Sequence, residues 1–317
     1  MSVLSRPYFH DEAAAFEHVE AMLWPQGPVC HHCGSMEKHY ALMGVRTKAS
    51  KKNPNGVEIH GLYKCRDCRK KFTVRMGSIF EESHLPLHKW LQAIHLMCSS
   101  KKGISSHQLH RVLECTYKTA WFLSHRIREA MRSDDFSPMG GNGKFVEVDE
   151  TYIGRLTNTP VKRGGGAHKN TVVTLVERGG RARSFHVDSA RIGTVMPIVR
   201  ANIAKESALM TDEAGVYRRV GTEFASHDFV THSKDEYVRG NIHTNTVEGY
   251  YSIFKRGMKG VYQHCAEHHL HRYLAEFDFR YSNRSAMGVE DNVRSLIALK
   301  GAKGKRLTYR RPAEFQA

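Results

Sequence analysis

Two sets of residues have the types and spacing to do chemistry. Cys30-His31-His32-Cys33 and Cys65-Arg66-Asp67-Cys68 are two C-x2-C knuckles with 31 residues between them. Four thiolates offered as two such pairs suit tetrahedral zinc, and a site whose four positions are all filled by protein is structural. His31 and His32 read as bystanders, while Cys98, Cys115 and Cys265 lack ligand spacing and are expected as buried core thiols. The second set is three carboxylates, Asp149, Asp212 and Glu248. Two divalent cations about 4 Å apart, held by carboxylates, activate a nucleophile and stabilise the leaving oxygen in phosphoryl transfer. Oxygen-only ligands favour magnesium or manganese. Each acid also has a structural reading. Asp149 would pair with Arg155, Asp212 would cap a helix beginning near Ala214, and Asn245-x-x-Glu248 would form a capping box.

The elements that must position the acids can be read from periodicity. Residues 145–151 (FVEVDET), 171–177 and 184–187 are strand-like, 194–204 is helical, and 208–211 is a short strand ending at Asp212. A helix over 244–258 carries Val247, Tyr250, Tyr251, Phe254 and Met258 as its apolar stripe. Asp149 therefore lies within an apolar strand, an expensive place for a charge unless it is paired or binds a metal. Upstream, 85–99, 106–113 and 117–131 read as helices, the last two joined by Glu114-Cys115-Thr116. A short helix, a turn and a basic second helix match a helix-turn-helix, with Lys118, His125, Arg126 and Arg128 on the polar face. Between the cysteine knuckles, a basic hairpin is expected to turn at Pro54-Asn55-Gly56, and residues 133–144 read as a linker.

The 317 residues carry 48 bases against 32 acids, a formal charge of +16. Residues 45–75, with Lys52 among their ten bases, carry +8; residues 300–311, ending in Arg310 and Arg311, carry +6. Clustered charge of this kind suits phosphate contacts, because counterion release grows with the number of phosphates neutralised. No run of eighteen apolar residues is present, and the first twenty residues lack an apolar signal core, so a cytoplasmic, non-membrane protein is expected.

Long stretches of the chain resemble insertion-sequence transposases of the DDE class, the bacterial ISXO-like group with an N-terminal zinc ribbon. The likeness is carried by CHHCG, YKCRDCRKKFTVRMGSIFEESHLPLHKW, VEVDETYIG, TDEAGVY, HTNTVEGYYSIFKRGMKGVYQH and HLHRYLAEFDFRYSNR. The resemblance implies a mixed α/β chain with a ribonuclease H-like catalytic core, preceded by a zinc ribbon and a helix-turn-helix-like domain. The corresponding segments would be 1–80 for the ribbon, 81–138 for the helical domain, 139–285 for the core and 286–317 for a basic tail. It also implies that Asp149, Asp212 and Glu248 hold magnesium or manganese, with zinc on Cys30, Cys33, Cys65 and Cys68. Some members have Asn at the third position, and Asn245 stands beside Glu248 here; Glu248 is preferred because an anionic oxygen binds magnesium better than an amide. Glu147, on the same strand face as Asp149, is the substitute ligand. Lys255 and Arg256 would contact DNA, as would Lys118, Arg126 and Arg128 upstream. The implied partners are the double-stranded terminal repeats and target DNA, bound by a homodimer or larger assembly. The implied reaction frees a 3′ hydroxyl at the element end and joins it to the target. The alternatives are a structure-specific nuclease or resolvase on the same core, and a non-enzymatic DNA-binding regulator.

Overall fold

The computed structural model describes residues 2–51, 53–156, 159–160, 166, 168–213, 215, 217, 221–231 and 238–308; Lys52, Ala214, Arg310 and Arg311 lie outside the described residues. The chain forms two compact units, one of residues 1–99, 106–131 and 291–317, the other of 100–105 and 132–290. Among the described residues no helix is long and apolar enough to cross a membrane.

The first unit opens with α1 (Glu12–Leu23), started by Asp11, whose side chain accepts from the Ala14 N–H at 2.8 Å. A three-stranded antiparallel sheet follows, β1 (His39–Ala41), β2 (Tyr63–Cys65) and β3 (Lys71–Phe72), in that spatial order. The excursion from β1 to β2 is the expected hairpin. Arg46 and Glu58 pair across it, and Gly56 turns it at φ +64° with Thr47 O so close that a Cβ would overlap it. The pairing of β1 with β2 draws the knuckles together. The Cys30 and Cys68 sulfurs are 3.6 Å apart, as are those of Cys33 and Cys65, and all four lie within 4.8 Å of one another. A tetrahedral zinc with Zn–S bonds of about 2.3 Å requires sulfur–sulfur edges of about 3.8 Å. Backbone N–H groups of His32 and Cys33 point at the Cys30 sulfur, and those of Asp67 and Cys68 at Cys65, which suits thiolates. Trp24, Tyr63 and Phe72 close over the cluster.

Three helices follow: α2 (Leu87–Ser99), α3 (Ser106–Leu113) and α4 (Tyr117–Met131). Glu12 of α1 caps α2 from outside, accepting from the Leu87 and His88 N–H groups at 2.7 and 3.1 Å. Glu114 takes φ +51° in the turn between α3 and α4. Two of the bases assigned to DNA do not face outward. Arg126 and Arg128 are 5% and 1% exposed. Residues 81–85 and 303–308 cover that side of α4: the Arg126 guanidinium donates to Leu307 O and Glu81 O, and Arg128 donates to the Ser124 hydroxyl. His125 is buried as well, while Lys118 stays exposed at the start of α4. The segment expected as a tail from 286 is, over Asp291–Lys300, a helix packed on α2 and buried through Arg294, Ala298 and Leu299.

The second unit is a five-stranded mixed sheet in the order β6-β5-β4-β7-β8. Strands β4 (Phe145–Ile153), β5 (Asn170–Glu177) and β6 (Ala182–Val187) are antiparallel. Strand β7 (Ala208–Thr211) runs parallel to β4, and β8 (Ser226–Phe229) parallel to β7. This is the ribonuclease H-like arrangement. Helix α5 (Ile192–Asn202) covers one face, with Val146, Val148, Val173, Leu175 and Leu209 beneath it. A minimal ribbon of β9 (Val238–Arg239) and β10 (Ile242–His243) leads into α6 (Asn245–Gly257). It covers the other face with α7 (Leu270–Ser282), over Ile153, Val172 and Val176. Gly257 is required at their contact, where a Cβ would meet the Phe277 ring and Lys102 O.

Zinc content tests the ribbon directly. Purified protein is expected to carry one zinc ion per chain, and Cys65→Ser to lose it in a colorimetric release assay. Because metal binding of this kind contributes on the order of 10 kcal/mol to folding, the variant should also lose the protease resistance of residues 24–72.

Candidate active site

The register between β4 and β7 brings two of the acids together. Glu147 pairs with Met210 across parallel strands. Asp149, at the middle of β4, and Asp212, just past the end of β7, each lie two residues further on, so they stand side by side on neighbouring segments about 4.8 Å apart. Alternation fixes their face. Val146, Val148 and Leu209 pack under α5, so Glu147 and Asp149 point to the α6 side, and Asp212 lies near enough for its charge to act on Asp149. Glu248 lies in the first turn of α6, exposed, and accepts from the Thr244 hydroxyl at 3.1 Å.

These charges act on one another. Asp149, half-buried, has its pKa pushed up to about 7, chiefly by burial, then by the negative charge of Asp212, Glu150 and Glu248. Among the described residues, its Oδ1 accepts the local N–H of Glu150, at 2.7 Å. Arg155, the sequence-level partner for Asp149, donates instead to Thr159 O. Among the described residues, the cysteine cluster is the only group of three or more His, Cys, Asp or Glu ligand atoms all within 4.8 Å of one another. The charges of Asp212 and Glu248 both act on Asp149. Their chemistry, hard anionic oxygen partly withdrawn from water, suits magnesium or manganese.

Glu147 shares the face of Asp149 as strand alternation requires, but both its oxygens are committed elsewhere. The side chain is fully buried. It accepts from the backbone N–H groups of Thr246 and Val247 at 2.8 and 2.9 Å and from the Thr246 hydroxyl at 2.8 Å. The Arg178 guanidinium pairs with it at 2.6 Å, and His243 Nδ1 lies 3.3 Å away. Glu147 is therefore the cap of α6, delivered from the strand beneath. The capping box read into Asn245-x-x-Glu248 is not formed: Thr244 is the N-cap position, its side chain makes no capping bond, and Asn245 is the exposed first residue of the helix.

Along α6, Glu248, Tyr251 and Lys255 follow one another at helical spacing. The Tyr251 hydroxyl donates to Asp149 O at 2.7 Å, and the Lys255 ammonium lies 5.8 Å from the centre of the Tyr251 ring. Arg256, exposed, is held by Ser252 through bonds to its carbonyl and hydroxyl. Sequence reasoning missed the role of Tyr251, which it placed only in an apolar stripe, and the pairing of Tyr217 with Glu150. The Tyr217 hydroxyl donates to Glu150 at 2.6 Å on the α5 side, and burial raises the pKa of Glu150. A tyrosine five positions after Asp212 in TDEAGVY was the available signal.

Removing the cap should be felt throughout the site. Glu147→Ala leaves Arg178 without its carboxylate and α6 without its N-terminal acceptor, and is expected to cost about 3 kcal/mol in urea unfolding. Glu147→Gln, which keeps an acceptor oxygen, should cost less. Equal losses for the two would show that the cap is not electrostatic.

Comparison with known proteins gives the same reading of both units. Residues 140–282 match the family described as ISXO2-like transposase domain, and residues 10–71 match the transposase zinc-ribbon domain. Over 236 residues, 69% of this chain and 77% of the relative, the sequence is 29% identical to a Halobacterium salinarum protein described as an uncharacterized protein in transposable element ISH50. The four-cysteine ribbon is thus similar to a transposase zinc ribbon, and the ribonuclease H-like sheet to an ISXO2-like DDE transposase domain.

Proposed function

We propose that this protein cleaves DNA at the ends of its own insertion sequence and joins the freed 3′ hydroxyl to a target phosphodiester. The observation that supports this reading is the nearness of Asp149, mid-way along β4, to Asp212, just past the end of the parallel β7, with the Glu248 helix over that face of β4. Asp149, Asp212 and Glu248 would hold the divalent cations, which supply Lewis acidity at the attacking and leaving oxygens. Residues 139–285 form the catalytic domain in this reading. Asp149 gives up its proton to become a ligand, Glu147 keeps α6 in register, and Lys255 is held over Tyr251 to meet a phosphate. Arg256, Lys118 and the basic hairpin of the ribbon grip flanking DNA, and two chains or more assemble because two ends must be joined. In-line transfer by a 3′ hydroxyl needs no covalent enzyme intermediate.

Asp149→Ala and Asp212→Ala should abolish magnesium-dependent cleavage and strand transfer on duplexes carrying the element's own terminal repeats. Gel-shift affinity for the same duplexes should stay within about twofold. Full cleavage by either variant would falsify the assignment.

Divalent-metal affinity should rise with pH across roughly 6 to 8. Below pH 7 Asp149 holds its proton and is neutral, so a metal must displace that proton; above it the carboxylate is already ionised. Titration calorimetry in buffers of different ionisation enthalpy reads the released proton, and a pH-independent affinity would contradict the coupling.

A further inference from the structure

Asp149 and Asp212 lie on segments whose backbone pairing covers only part of their length. The rungs between β4 and β7 run from Phe145 opposite Ala208 to Glu147 opposite Met210. On its other edge β7 stays paired with β8 one residue longer, to Thr211 opposite Phe229. Asp212 therefore follows the last rung to β4, and beyond it the chain is tied to β4 again by side chains. Tyr217, five residues after Asp212, donates from its hydroxyl to Glu150, the residue after Asp149, at 2.6 Å. Both acids thus lie between the same two ties. On β4, Glu147 precedes Asp149 and Glu150 follows it; on the other segment, Met210 precedes Asp212 and Tyr217 follows it.

The second tie is firmly seated. Tyr217 is fully buried and belongs to the apolar cluster beneath α5, with Val146, Val148, Val199 and Leu209. A tyrosine buried in this way needs a partner for its hydroxyl, and Glu150 supplies the acceptor. The backbone N–H of Glu150 in turn donates to Asp149 Oδ1 at 2.7 Å. One residue therefore joins the Tyr217 hydroxyl, through its side chain, to the Asp149 carboxylate, through its amide.

The choice of a carboxylate is informative. A neutral acceptor would satisfy a tyrosine hydroxyl equally well. Glutamate adds a negative charge one residue from Asp149, where it acts on Asp149 in the same sense as Asp212 does. Without a cation that charge is a cost; with cations at Asp149 and Asp212 it becomes an attraction. Groups behind metal ligands that fix their orientation commonly carry a large share of a site's affinity.

We propose that the Tyr217–Glu150 hydrogen bond is a positioning clasp, which holds the segment bearing Asp212 against β4 at the separation from Asp149 that the divalent cations require. Tyr217 and Glu150 act through the two aspartates, from the α5 side of the sheet. The proposal rests on the transposase reading above, since it takes Asp149 and Asp212 as metal ligands.

The test uses the full-length, zinc-bound protein, with manganese binding read by titration calorimetry in the absence of DNA. Tyr217→Phe keeps the ring and deletes the clasp, and is expected to weaken manganese binding by about tenfold or more. Val199→Ala opens the same apolar cluster without touching the clasp; it should lower stability in urea yet leave manganese affinity unchanged. In a Glu150→Ala background, Tyr217→Phe should cost no further affinity, because two partners of one interaction are not additive. Cleavage of element-end duplexes by Tyr217→Phe should fall at limiting magnesium and recover when magnesium is raised, with metal-free gel-shift affinity unaltered. The proposal is overturned if Tyr217→Phe binds manganese as the wild type does, if Val199→Ala weakens binding equally, or if Tyr217→Phe costs the same with and without Glu150. Those results leave the transposase reading standing. A wild type that binds no manganese, or whose binding survives Asp149→Ala undiminished, tells against that reading and removes the clasp with it.

Discussion

The site depends on one buried anion. Glu147 has no contact with solvent, and its two oxygens gather the first backbone N–H groups of α6, the Thr246 hydroxyl and the Arg178 guanidinium. Those N–H groups carry the positive end of the helix dipole, so the carboxylate compensates both a formal cation and a partial one. The consequence is geometric. Strand β4 holds Glu147 and Asp149 two residues apart on one face, so a helix start bound to Glu147 is thereby placed over Asp149. Glu248, in the first turn, comes with it.

The same helix then returns to β4 through Tyr251, whose hydroxyl reaches Asp149 O. Helix and strand are pinned at two points one turn apart, and Lys255 is set by the tyrosine ring between them. Such double attachment matters because the acids repel. A carboxylate raised to about 7 by burial and by its neighbours favours any displacement that relieves it. The attachments resist that displacement, and a bound cation would remove its cause. The fold thus holds an electrostatically unfavourable arrangement of carboxylates rather than relaxing it.

Much of this was legible in the sequence, for physical reasons. The helices Ser106–Leu113 and Tyr117–Met131 and the strand Ala208–Thr211 were read to the residue, because apolar periodicity and clear punctuation agree there. The C-x2-C pairs gave the zinc ligands because a metal imposes its spacing on the chain. Other features were invisible because they are decided by packing between distant segments. Nothing local distinguishes Glu147, a cap reaching 99 residues ahead, from a spare metal ligand. The short strand Ser226–Phe229 has too few apolar residues to show a period, and Asp291–Lys300 reads as a charged tail until α2 is there to cover it.

Arginine shows why formal charge does not map directly onto a binding surface. The basic face read on α4 counts Arg126 and Arg128 toward DNA, yet both guanidiniums are spent inside the first unit, on Leu307 O, Glu81 O and the Ser124 hydroxyl. Arginine suits that use, since its planar fork satisfies several carbonyls at once and its stem packs against apolar side chains. Lysine does not, because its compact, strongly hydrated ammonium is costly to bury. Lys118, Lys169, Lys255 and Lys259 all keep some exposure, whereas Arg126, Arg128, Arg280 and Arg294 are buried. Exposure rather than residue type or formal charge is therefore the guide to where phosphate can be met: Lys305 is buried, whereas Lys255 keeps some exposure and Arg256 is exposed, both on α6.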